Sequence, residues 1–170
     1  MTLIWSNTNP NVVFKFTPKA DISAWRIVND GVMGGLSSST IELTEEGKGL
    51  FKGTISLENY GGFASVRHRF ETCSVRPYKG FRIRLKGDGK RYQFRVKESS
   101  NDAHSYMTYI QTSTDWEVYD LKFEDLYPTF RGRRLSIPNF KGDDMEQIGF
   151  LIANKKAENF RLEIERIVLY

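Results

Sequence analysis

The sequence predicts a single all-β sandwich domain. Apolar and polar residues alternate with period two through nine or so short segments, and clusters of Gly, Asn, Asp and Pro separate them. No helical periodicity intervenes between the segments, which argues for packed antiparallel sheets and against a doubly wound strand-helix fold. The chain has 170 residues, 39% of them hydrophobic, with 12 Phe, 8 Tyr and 3 Trp, so one domain over 1–170 can bury a core without covalent staples.

Pro10 and Pro18 bracket a first strand over 12–16, and 20–25 is predicted to form a short helix. Strands follow over 39–43, 50–56 and 62–70. In FRIRLK (81–86), Phe81, Ile83 and Leu85 point one way and Arg82, Arg84 and Lys86 the other. Gly87-Asp88-Gly89 then supplies a tight turn, and RYQFRVK (91–97) repeats the pattern with Tyr92, Phe94 and Val96 inward. The two segments are predicted to form a hairpin with one apolar and one cationic face. Strands over 106–111 and 117–121 precede a helical turn or two at 121–126, stopped by Pro128. The last strands span 147–152 and 161–169. In the latter, Leu162 and Ile164 are out of phase with Ile167 and Leu169, so a bulge is predicted at Glu165-Arg166.

The net charge of +4 conceals an asymmetry. Residues 65–97 hold eleven cations against two acids, a net +9, and the rest of the chain carries −5. Arg67, Arg82, Arg84, Arg91 and Arg95 are candidates for a surface that receives an anionic ligand or an acidic partner. A sheet face neutralised by cross-strand acids such as Glu163 and Glu165 explains the same pattern. The outward positions interleave no aromatics with the cations along these strands, so specific nucleic-acid binding is not predicted.

Several chemistries lack support. Cys73 is the only cysteine, which excludes an intrachain disulfide and a thiolate metal cluster. No phosphate loop, dinucleotide fingerprint or nucleophile elbow is present. His68 shares the phase of Val66 and Phe70, which predicts a packed, hydrogen-bonded core histidine in place of a catalytic base. No catalytic or metal site is predicted, although Asn, Asp and carbonyl oxygens in a loop are compatible with calcium. No run approaches the ~18 apolar residues of a membrane span, and MTLIWSNTNPN has neither signal nor presequence character. A cytoplasmic protein without membrane insertion is the expectation.

Two Gly-rich stretches remain, WRIVNDGVMGGLSSS from Trp25 and SLENYGGFASVR from Ser56. They serve either as sharp sandwich turns or as polar binding loops. On the binding reading, Trp25 or Tyr60 would stack on a ligand. Asn29, Asp30, Met33, Ser37, Glu58 and Asn59 would surround it, and Asp30 or Glu58 would be the carboxylate of an enzyme if there were one.

Three long segments in order, WRIVNDGVMGGLS from Trp25, FKGTISLENYGGFASVR from Phe51 and GDGKRYQFRV from Gly87, carry a family resemblance. The motif-bearing core runs over about 12–170. The chain resembles the complex I intermediate-associated protein 30 family. The resemblance implies a galactose-binding-like jelly-roll sandwich and a chaperone-like, non-enzymatic role in assembling respiratory or other membrane complexes through a protein partner. Without a presequence, it implies a stand-alone bacterial member. A carbohydrate or other small polar ligand is the alternative, on fold analogy.

Overall fold

The structure is a computed structural model that describes residues 11–170, and of Val32 and Met33 it describes only the backbone. In chain order its strands are β1 (Val12–Lys15), β2 (Trp25–Ile27), β3 (Ser38–Leu43), β4 (Gly49–Ile55), β5 (Ala64–Ser74), β6 (Gly80–Lys86) and β7 (Arg91–Lys97). They continue with β8 (Ser105–Gln111), β9 (Trp116–Lys122), β10 (Tyr127–Phe130), β11 (Arg133–Arg134), β12 (Asp144–Ile152) and β13 (Glu158–Leu169). The remaining regular structure is three single 3-10 turns at Asp30–Met33, Glu58–Tyr60 and Phe123–Asp125. Among the described residues no helix is long and apolar enough to cross a membrane.

The strands form two antiparallel sheets. The first runs β3-β4-β13-β6-β9, with β1 also on β13, and the second runs β11-β10-β8-β7-β12-β5-β2. Their inner faces supply one core in which rings from both sheets meet. Phe81 of the first packs edge-on against Phe94 of the second at 4.9 Å, and Phe94 against Phe150 at 5.3 Å. Each of these rings is fully buried, a burial that stabilises by about 2–3 kcal/mol per side chain.

The predicted bulge is present. The register of β13 against β6 shifts between Ile164 and Arg166, so Ile164 and Ile167 both face the core while Glu165 turns outward. The predicted hairpin is not. The two segments lie in different sheets, and 87–90 carries the chain across the sandwich. Asp88 fixes that crossing by accepting hydrogen bonds from Lys90 N, the Tyr92 hydroxyl and Arg161 N. Both apolar rows still face the core, from opposite sides, so Arg82 and Arg84 stand on one outer face and Arg91 and Arg95 on the other. The helix expected over 20–25 is also absent; a turn there leads into β2, whose Trp25, 4% exposed, is buried in the core. The helical turn at 121–126 shrinks to Phe123–Asp125, and β10 follows, with Pro128 in it. That strand sits next to the sheet edge and pairs over only a few residues, where a missing N–H is tolerated.

Candidate functional site

The two Gly-rich stretches meet at the joint between the sheets. Residues 28–37 carry the chain from the second sheet to the first, and 56–63 carry it back. Asp30 lies between them with no exposed surface. Its Oδ1 accepts from Ser37 N at 3.0 Å, and its Oδ2 accepts from Ser37 Oγ at 2.5 Å, Gly62 N at 2.7 Å and Phe63 N at 3.3 Å. Burial pushes the carboxyl pKa up, but these donors together outweigh it and the net shift is downward. Each Gly-Gly pair gives one residue to a positive φ, Gly34 at 88° and Gly62 at 135°. The other member lies against Asp30, where a Cβ on Gly35 would stand 2.4 Å from Cγ and one on Gly61 2.6 Å from Oδ2. Ser37 Oγ also accepts from Ser56 N, and Ser39 Oγ donates to Asn29 Oδ1. The motifs therefore build a structural clasp, and both Asp30 oxygens are committed to it.

The outer faces differ in how their charge is met. On the first sheet, Arg82 forms a two-pronged pair with Asp120 at 2.7 and 2.9 Å. Glu165 receives Lys48 at 2.7 Å, Arg84 at 2.8 Å and Arg166. Glu42 and Glu163 meet Lys52 and Arg161. Cross-strand acids thus neutralise this face.

The second sheet's outer face presents Arg26, Arg67, Arg69, Arg91, Arg95 and Lys97 from three strands, and among the described residues none of them forms an ion pair with a carboxylate. Gly149 lies opposite Arg67 on one side and Arg95 on the other. Lacking a side chain, it leaves a notch of about 20 Å³ lined by Arg67, Arg95, Lys97, Ser65, Ser105 and Gln147. Arg95 donates to Gln93 Oε1 at 2.6 Å, Lys97 to the Asp102 carbonyl at 2.6 Å, and Arg67 to no described group. Burial, and then the charge of Arg67, lowers Arg95 to about 10; Lys97 and Arg67 are lowered too, in each case first by burial. An open groove of about 950 Å³ adjoins the notch and shares Arg67 and Gln147 with it, and adds Arg26 and Arg69 together with the carboxylates of Glu71 and Glu146.

A family model for complex I intermediate-associated protein 30 matches residues 14–164. The chain belongs to this family. It is 24% identical over 195 residues to "Complex I intermediate-associated protein 30, mitochondrial" of Drosophila melanogaster, covering 98% of this chain and 65% of the fly protein. The mouse protein of the same name is 23% identical over 185 residues, covering 94% of this chain and 56% of its own length. The chain thus spans less than two thirds of these relatives. Among solved structures, a family 11 carbohydrate-binding module of Clostridium thermocellum in complex with a mixed-linked tetrasaccharide superposes with a TM-score of 0.67. The identity is 15%, and 94% of each chain is covered. A family 29 carbohydrate-binding module superposes at 0.56 with 16% identity, over 94% of this chain and 89% of that one. These likenesses establish the sandwich fold, in accord with the jelly roll that the family resemblance implies.

On this family fold the predicted residues separate into groups. Asn29, Asp30 and Ser37 join in the clasp. Glu58, Asn59 and Tyr60 lie on the neighbouring exposed turn, with Asn59 and Tyr60 at φ 55° and 60° and Tyr60 95% exposed. The Met33 side chain lies outside the described residues. Trp25 is a correction: its ring stacks on His68 at 4.9 Å inside the core and is closed to a ligand. His68 is packed as predicted, and burial lowers it to about 4 against the opposing effect of the Ala24 backbone. The buried Cys73 thiol is pushed up to about 12, first by burial and then by Asp144, which leaves it a small core residue.

Two features escaped the sequence reading. Aromatics do accompany the second-sheet cations, but across strands: Arg91 lies 3.9 Å from the Tyr109 ring and Arg134 4.4 Å from that of Tyr127. In addition, ligand atoms of Glu98, Asp102 and His104, around the β7–β8 connection, converge within 4.8 Å of one another. Metal-compatible atoms thus gather there, while Glu98 already accepts the Tyr106 hydroxyl at 3.1 Å.

Proposed function

We propose that this chain is a non-catalytic protein-binding domain that helps assemble a respiratory, complex I-type or other membrane complex, and that its working surface is the outer face of the second sheet. The unpaired Arg67–Arg95–Lys97 cluster carries this reading. Half-buried cations without carboxylate partners cost free energy in the isolated domain, and an acidic group of a partner brought to the notch relieves that cost. The family name and the relatives named for complex I support the choice of partner, and the committed oxygens of Asp30 support a binding role over a catalytic one. Capture from gently solubilised membranes tests it. The chain should retain respiratory-complex subunits, and recovering none would overturn the assembly role.

A second reading, a carbohydrate-binding module, is favoured by the accessible Tyr109 ring, 40% exposed, beside Gln93 and Gln111 on a fold shared with such modules. A thermal-shift panel of glycans, with and without calcium, should show a ligand-specific rise if this reading holds. A flat response removes it.

A further inference from the structure

We infer that the notch between Arg67, Arg95 and Lys97 is a receptor for the phosphoryl group of a phosphate monoester. The inference rests on reading this face as the working surface and adds the chemistry of what it grips. Three cations, Arg67 of β5 and Arg95 and Lys97 of β7, line a depression over the intervening β12 that has no carboxylate in its lining. A planar carboxylate brings one negative charge and satisfies one guanidinium fork, which leaves two cations in mutual repulsion. A phosphate monoester brings between one and a half and two charges and three acceptor oxygens, enough for two guanidinium groups and an ammonium together.

Size points the same way. About 20 Å³ is little more than the ~10–15 Å³ that one water needs, so the notch admits oxygens of a single group and excludes a ring. The body of the ligand then lies in the open groove that shares Arg67 and Gln147 with the notch. Ser105 and Gln147 stand in the lining as neutral donors, while the Ser65 hydroxyl is already given to the Val28 carbonyl. Gly149 has a necessary part, because any side chain between Arg67 and Arg95 would fill the seat. A small phosphate ester and a phosphorylated side chain of a partner share this chemistry.

The test is a titration of the full chain followed by amide and arginine side-chain NMR, at constant ionic strength in chloride. The probes are inorganic phosphate, glycerol 3-phosphate, a phosphoserine tripeptide and acetate. The expected result is saturable binding of phosphate and of at least one ester, with shifts centred on Arg67, Arg95 and Gly149 and with acetate at least about tenfold weaker. Arg67→Gln and Arg95→Gln should each weaken phosphate about tenfold, Lys97→Gln by a smaller factor, and Arg82→Gln not at all. Melting curves establish that each variant is folded, and Lys97→Gln stands in for any that is not. The tighter of the two esters identifies the source. Equal binding of acetate, failure to saturate, or phosphate shifts that persist in the arginine variants would overturn the inference. If phosphate fails while capture of subunits still depends on Arg67 and Arg95, the inference falls and the proposed function stands; phosphate saturating a chain that captures nothing reverses that outcome.

Discussion

The two outer faces of this sandwich carry similar sequence patterns and opposite electrostatics. Arg82 and Arg84 on the first sheet stand beside Asp120 and Glu165, which neighbouring strands deliver at hydrogen-bonding distance. Arg67 and Arg95 on the second have Gly149 between them, and among the described residues no acid forms an ion pair with either. The comparison teaches that a run of alternating cations acquires its meaning from the strands it pairs with. One face has neutralised its own charge, whereas on the other the cations keep a charge that no described carboxylate compensates.

The faces stay distinct because the clasp at Asp30 fixes both crossovers between the sheets, so breaking it has the largest expected effect. Asp30→Ala strands four donors and should cost about 4 kcal/mol in denaturant unfolding. A loss below about 1 kcal/mol would show that the glycine-rich motifs are not held together by this carboxylate.

Acid sharpens the comparison from inside, because the buried aromatic cluster behind β5 contains His68. Its folded pKa is depressed from 6.5 to about 4, so the neutral imidazole's contribution is complete above pH 6.5 and is lost as pH falls toward 4. The shift corresponds to roughly 3 kcal/mol, visible in unfolding midpoints measured between pH 7 and pH 4. His68→Phe should flatten that slope. Asp30 and Glu165, whose pKa values are lowered, withdraw their contributions only as pH drops below the ordinary carboxylate range.

Smaller effects of opposite sign should separate the faces directly. Glu165→Gln leaves Lys48, Arg84 and Arg166 without their common carboxylate and should cost about 2 kcal/mol. Arg95→Gln removes a desolvated, unpaired cation and should leave stability unchanged or raise it by up to about 1 kcal/mol. A destabilisation by Arg95→Gln as large as that by Glu165→Gln would erase the distinction in thermal and chemical melts.

Much of the fold was legible because strand period survives whichever sheet a strand joins. The alternation in 81–86 and 91–97 is correct in both, and the phase slip in the last strand announced the bulge at Glu165. The same period cannot say whether two successive strands pair with each other or face each other across a core, so Arg82 and Arg91 were expected on one surface and lie on opposite ones. Of the site, Arg67 and Arg95 were legible as cations. Their isolation was not, because it depends on Gly149, eighty-two residues after Arg67, arriving between them in register. Trp25 misled as a ligand-stacking candidate because a three-residue strand gives too short a pattern to assign its face. Tyr109 and Tyr127 pair with cations across strands, where no linear motif records them.

The central claim, that the second sheet's unpaired cations are the working surface, is tested most directly by neutralising each face in turn and measuring capture of membrane-complex subunits. Arg67→Gln with Arg95→Gln should reduce capture about a hundredfold and flatten its salt dependence, while Arg82→Gln with Arg161→Gln should leave both unchanged. Equal loss from the two double variants, or undiminished capture by the first, would contradict the account.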